Sequence, residues 1–194
     1  MAVDTIYAVG LRDVQVYPIT DLSTPTYGSG VDMPAAATME VSGTFSEVIA
    51  EGDDVIVTQH ALPNGAEWTL EASTGLSLPV LEVLLGGTAS DSGSTPNEVS
   101  YWDFTGDNEV PWFGFIGKAI DSETGGDTHC QVFKAKVTSG PGGAFAYNSF
   151  KPINWSGRAL GGPYTGSPIF RVLNHETATD IPASWPDADP YTSS

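Results

Sequence analysis

The chain has 194 residues, 40% of them hydrophobic, with 24 acids against 7 bases and a formal charge of −17. This length and apolar content fit one packed core with an appended arm; they exclude wholesale disorder, and no apolar run reaches the ~18 residues of a membrane span. So few Lys and Arg also exclude tight polyanion binding, which needs cations to displace condensed counterions.

The charge is uneven: 17 acids and one base, Arg12, fall in residues 1–117, whereas residues 118–194 hold 7 acids and 6 bases. Such acidity keeps a protein soluble, and it also makes a surface that repels a nearby polyanion. Cys130 is the single cysteine, which rules out an intrachain disulfide and argues against a structural zinc site. The 22 Gly and 14 Pro favour many turns over long helices. No basic segment followed by an apolar one opens the sequence, so a secretory leader is not expected.

From Thr5 to Pro18 the residues read as a strand pair or one long bent strand, with Gly10 between Val9 and Val14. Residues 18–36, with Pro18, Pro25, Gly28, Gly30 and Pro34, read as a long loop of the kind that is functional or ordered by a partner. Met39, Val41, Gly43 and Phe45 alternate with polar residues, as in a half-buried strand. Glu51-Gly52-Asp53-Asp54 turns into a strand over Val55–Gln59, and Asn64-Gly65 reads as a further tight turn. Trp68, Leu70 and Ala72 then alternate with Glu67, Thr69 and Glu71. The period changes at once: Ser77 can cap a helix, Pro79 fits its first turn and Gly86-Gly87 stops it, predicting a helix over about 78–85. Glu82 is its one charge, so the helix is apolar nearly all round and needs cover on every side. One face can lie on the sheet and the other needs a loop or another subunit; that requirement points toward assembly, with Leu78, Leu81, Val83, Leu84 and Leu85 as the expected subunit contact.

Residues 88–97 read as loop. Val99–Phe104, Trp112–Ile120, Thr128–Val137, Ala144–Ile153 and Ile169–Leu173 read as strands, with Lys134 and Lys136 on one face and Phe133, Ala135 and Val137 on the other. Residues 175–194 carry Pro182, Pro186 and Pro190 and read as an arm or tail anchored by Trp185. The class is mainly β with one short helix, as a sandwich or partly closed barrel.

Catalysis finds no foothold. His60, His129 and His175 lie far apart in sequence without i,i+4 spacing, so no metal is expected. Asp103, Asp107 and Glu109 lack the ligand order of a calcium loop. Glu67 and Glu71 share a strand face about 13 Å apart at ~3.3 Å per residue, wider than a glycosidase acid pair. Gly-x-Ser-x-Gly and a phosphate-cradling loop are absent, and no cofactor is expected.

The order of these pieces resembles the major tail tube proteins of long-tailed, non-contractile bacteriophages. The likeness runs over about residues 3–173. It rests on Gly10-Leu11-Arg12-Asp13-Val14, Glu51-Gly52-Asp53-Asp54 before a Val-rich strand, and Glu67 to Glu71. It continues through Gly75-Leu76-Ser77 opening the Leu-rich helix, Thr95-Pro96-Asn97, Gly125-Gly126-Asp127-Thr128-His129, and Gly142 to Phe150. It implies a non-enzymatic β domain over 1–174, with an inter-ring loop at about 18–36 and a C-terminal arm at 175–194. Such subunits form six-fold rings that stack into a tube for double-stranded DNA in the virion. The implied partners are further copies of the chain and the tape-measure, tail-terminator and distal tail proteins, without membrane insertion. Tyr27 and Trp185 then fall in the bridging segments, and Glu40, Glu67 and Glu71 become expected lumen acids. Two other readings stay open: a carbohydrate-binding sandwich using Tyr101, Trp102, Trp112 and Trp155, and a capsid-decoration or head–tail connector subunit.

Overall fold

A computed structural model describes residues 8–23, 26–52, 55–73, 77–123, 125–142, 152–162 and 168–186. The expected strand start at Thr5–Tyr7, the Asp53-Asp54 turn, Gly75-Leu76, the expected strand residues Ala144–Lys151 and the last residues, 187–194, lie outside that set. The fold is mainly β, with one short helix on the inside of a curled half-barrel sheet. Among the described residues no helix is long and apolar enough to cross a membrane.

The strands, in chain order, are β1 (Ala8–Asp21), β2 (Thr26–Tyr27), β3 (Val31–Asp32), β4 (Ala36–Gly52), β5 (Val55–Ala72), β6 (Thr88–Ser92), β7 (Val99–Asp103), β8 (Phe113–Asp121), β9 (Asp127–Gly142), β10 (Ile153–Leu160) and β11 (Phe170–His175), with α1 (Leu78–Leu85) between β5 and β6. The main sheet runs β2-β1-β8-β9-β10-β5-β4, while β6 and β7 form a separate ribbon. Where β10 leaves the edge of β9 near Lys134, β11 takes its place, pairing Phe170 with Val132 through His175 with Asp127. β1 is one long strand bent by two register shifts near Gly10 and Arg12. The segment expected as a long loop instead folds back along β1: β2 and β3 pair with it, and Met33 is buried with its N–H donating to the Val14 carbonyl.

One face of the sheet holds the main core. Alternation sends Val14, Val16, Trp68, Leu70, Phe113, Phe115, Val132 and Trp155 inward, onto α1. Trp68 meets Phe113 and Phe115 edge-on, with centroids 5.6 and 5.4 Å away. The sheet curls so far that Met39 of β4 reaches Gly117 of β8, four places along the strand order.

A smaller core lies on the opposite face, where the chain after β11 returns as a strap over β1, β8 and β9. Trp185 stacks on Tyr27 (4.2 Å, 12° between planes) and meets Tyr17 and Phe133 edge-on. Gly30 N–H donates to the Ala183 carbonyl and Tyr17 Oη to that of Pro182, fixing the strap's course. Phe133 reaches this face because β9 bulges: Phe113 and Phe115 of β8 pair with Ala135 and Val132, leaving one extra residue on β9. The expectation that Phe133 shares a face with Ala135 and Val137 is corrected on that ground.

Beside β3, Asp13 carries a carboxyl raised above its ordinary range, by burial first and then by a hydrogen bond and like charge from Asp32. A carboxyl raised by folding lowers stability wherever it is ionised in the native state and has no effect once pH falls below its unfolded value. Asp13→Asn is therefore expected to raise the urea midpoint at pH 7. The gain should vanish when the same titration is run near pH 3.

Candidate assembly surface

β5 pairs with β10 only over Ala66–Ala72. Beyond that, residues 45–52 and 55–63 pair with each other alone among the described residues, so β4 and β5 leave the sheet as a two-stranded arm about 25 Å long at ~3.3 Å per residue. Asn64-Gly65, expected as a turn, lies inside β5. Thr44 opposes Gly65 and Phe45 opposes Pro63, so Asn64 is the extra residue of a bulge. Its side chain closes that bulge, accepting from Thr44 Oγ1 and donating to Ser46 Oγ, each at 2.7 Å.

Among the described side chains of the arm, at residues 45–49 and 60–63, none is buried. Phe45 is 65% exposed and Val48 64%, and Leu62 and Ile49 are exposed too. Strand alternation and the register put Phe45 and Ile49 on one face and Val48 and Leu62 on the other. Two apolar faces in water, on a ribbon whose β4 border has no strand neighbour among the described residues, make a surface that favours pairing with another chain. The sequence predicts several short strands in place of this arm, because Asn64-Gly65 mimics a turn.

Glu40, Glu67 and Glu71 occupy the sheet face opposite α1. Thr38 Oγ1 donates to Glu71 Oε2 at 3.3 Å, and a shallow polar groove beside them is bordered by Thr69, Asn154 and Ser156. The face is not uniformly acidic: Arg158 stands directly opposite Glu67, and Lys136 opposite Arg158. Lys136 is drawn aside, 3.5 Å from Glu109 Oε1 and, with Lys134, over the Trp112 ring.

The helix lies elsewhere. Leu81, Val83, Leu84 and Leu85 are buried within the single chain and Leu78 is half-buried, under cover from β1, β3, β6, β7 and β9. Of the two covers expected, a loop or another subunit, the chain's own β6–β7 ribbon and sheet supply it, and the expected subunit contact of these residues is corrected on that ground. Ser77 makes no side-chain cap, although its carbonyl accepts from Leu81 N–H, and Gly86 at φ +76° ends the helix as expected. Tyr27 and Trp185 are likewise turned onto each other by the strap. The four aromatics of a sugar platform do not come together either. Trp155 is in the core, and Trp102 donates its indole N–H to the Gly86 carbonyl and stacks on Phe104.

Two of the dispersed histidines do meet. β9–β11 pairing puts His175 opposite Asp127 and Leu173 opposite His129, bringing the imidazole centroids to 4.5 Å, while exposed His60 lies out on the arm. Fully buried Asp127 accepts at Oδ2 from Thr179 N–H of the strap (2.6 Å) and faces Lys118 Nζ at 3.3 Å. Burial alone would raise this carboxyl, but the Thr179 hydrogen bond with the His129 and Lys118 charges brings it below the ordinary value. Burial also lowers the pKa of His129. Next along β9, Cys130 is pushed up to about 11 by burial, which keeps its thiol protonated and unreactive.

No family model matches this chain, and no curated protein matches it in sequence. Among solved structures it is similar to a chain in the six-fold symmetrised cryo-EM structure of the anti-feeding prophage baseplate, at 11% identity and a TM-score of 0.40 over 89% of this chain and 97% of that one. That likeness is too distant to assign a function.

Proposed function

We propose that this protein is a structural virion subunit that polymerises as stacked, six-fold rings into the tail tube of a long-tailed phage, through which double-stranded DNA passes unbound. The observation that carries the reading is the β4–β5 arm, with exposed apolar side chains on both faces and an open β4 border. In a ring, that border pairs with the next copy and the arm is covered, which removes the edge liability as closure does in a barrel. The resemblance read from the sequence supplies the ring geometry and the tube.

In this reading the face carrying Glu40, Glu67 and Glu71 lines the bore, because the opposite face is filled by α1. DNA carries one charge per ~1.7 Å of axis. Acidic walls keep it centred by repulsion felt over about 8 Å at physiological salt, whereas basic walls would bind it. The chain then acts without catalysis or cofactor, beside tape-measure, tail-terminator and distal tail proteins.

Phe45→Asp and Val48→Asp test the arm. Both positions are exposed, so each variant should keep its unfolding free energy, measured in urea, to within about 0.5 kcal/mol. Each should also lose the tubes that the unaltered protein forms in negative stain. Tubes of normal length and number from both variants would refute an arm-mediated contact.

A further inference from the structure

The meeting of Asp127, His129 and His175 goes beyond the tube reading and does not depend on it. One ligand atom from each of the three lies within 4.8 Å of the other two. The hydrogen-bonding pattern leaves a gap at their centre. Asp127 Oδ2 already accepts from Thr179 N–H and faces Lys118, but Oδ1 is buried without a hydrogen-bond partner, as is His175 Nε2. His129 Nε2 is 3.5 Å from Oδ1 and 3.2 Å from the Thr179 carbonyl, both acceptors. A proton on His129 Nε2 can serve one of these well, and it leaves His175 Nε2 unsatisfied. A divalent cation takes lone pairs from all three side chains at once.

We propose that Asp127, His129 and His175 supply three ligands of a four-coordinate site for a first-row divalent transition metal, with a water molecule as the fourth ligand and zinc as the best fit. Two imidazoles and one carboxylate are a borderline-soft donor set suited to Zn2+ and its neighbours, and not to Mg2+ or Ca2+. Bonds of about 2.0–2.1 Å in a tetrahedron separate ligand atoms by roughly 3.3 Å, close to the 3.5 Å between Asp127 Oδ1 and His129 Nε2. The remaining contraction falls to His175, half-buried at the end of β11. Around the ligands, Thr179 N–H and Lys118 hold the carboxylate so that Oδ1 faces the site, the usual work of a second layer of contacts. Lys118 places a positive charge nearby, but Asp180 Oδ1 at 3.5 Å shares its ammonium. The ion would fasten β11 to β9 at the point where the strap begins.

The test uses the full chain without an affinity tag, stripped with a chelator and titrated with Zn2+ by calorimetry and thermal melting. One equivalent should bind and raise the Tm, since a ligand that binds only the folded state stabilises it. His175→Gln, at a side chain whose Nε2 makes no hydrogen bond, should fold yet bind at least tenfold more weakly. His60→Gln should bind normally. Co2+ in the unaltered protein should give the intense visible absorption of a tetrahedral site, a readout that needs no variant. Absence of zinc binding, an unchanged affinity in a folded His175→Gln, or only the pale spectrum of octahedral cobalt would overturn the proposal.

Discussion

Leu84→Asp is expected to prevent folding altogether. Leu84 is 0% exposed in the single chain, between the sheet and the β6–β7 ribbon. Removing a buried leucine's bulk costs about 2–5 kcal/mol even in the mild Leu→Ala case. An aspartate adds the desolvation of a charge without a partner, and native chains hold only about 5–15 kcal/mol in reserve. The checks are far-ultraviolet circular dichroism and recovery of soluble protein, beside a Leu84→Ala chain that should fold with a reduced urea midpoint. The outcome separates two views of the helix. Were it an intersubunit contact, Leu84→Asp would give a soluble, folded chain defective only in assembly.

Gly157→Val should be nearly as severe. Gly157 of β10 stands opposite Trp68, whose indole lies across it. A Cβ there would sit 2.0 Å from the Lys136 carbonyl oxygen and 2.5 Å from the Trp68 ring. Backbone on one side and the largest core side chain on the other leave no cheap adjustment, so the Trp68–Phe113–Phe115 packing must open. Near-ultraviolet circular dichroism should lose its aromatic signal, and the thermal transition should broaden or disappear. A native spectrum with an unchanged Tm would contradict the close packing assigned to Gly157.

What was legible in the sequence followed from local chemistry. The helix runs Leu78–Leu85 as expected because Pro79 and Gly86 punctuate it, whatever packs around it. Glu67, Thr69 and Glu71 took the wet face through simple alternation. β10 was missed although Ile153, Trp155, Gly157 and Ala159 alternate with polar residues, because glycine and alanine dilute that signal. Bulges defeated the reading twice. Asn64-Gly65 carries turn chemistry yet sits inside a strand, and Phe133 changes face through an extra residue that periodicity cannot reveal. The covering of α1 and the meeting of His129 with His175 are tertiary facts. An apolar helix announces that it needs cover, not whose, and strand register between residues 46 apart in sequence has no local trace.

In the proposed tube, a chain whose core is closed finds shelter for its β4–β5 arm in further copies of itself. Electron microscopy of the purified protein at high concentration tests this most directly. Hollow tubes of stacked rings are expected, with each arm buried against a neighbour and an acidic bore. Dispersed single particles at every concentration, or rings in which the arms hang free in solvent, would contradict it.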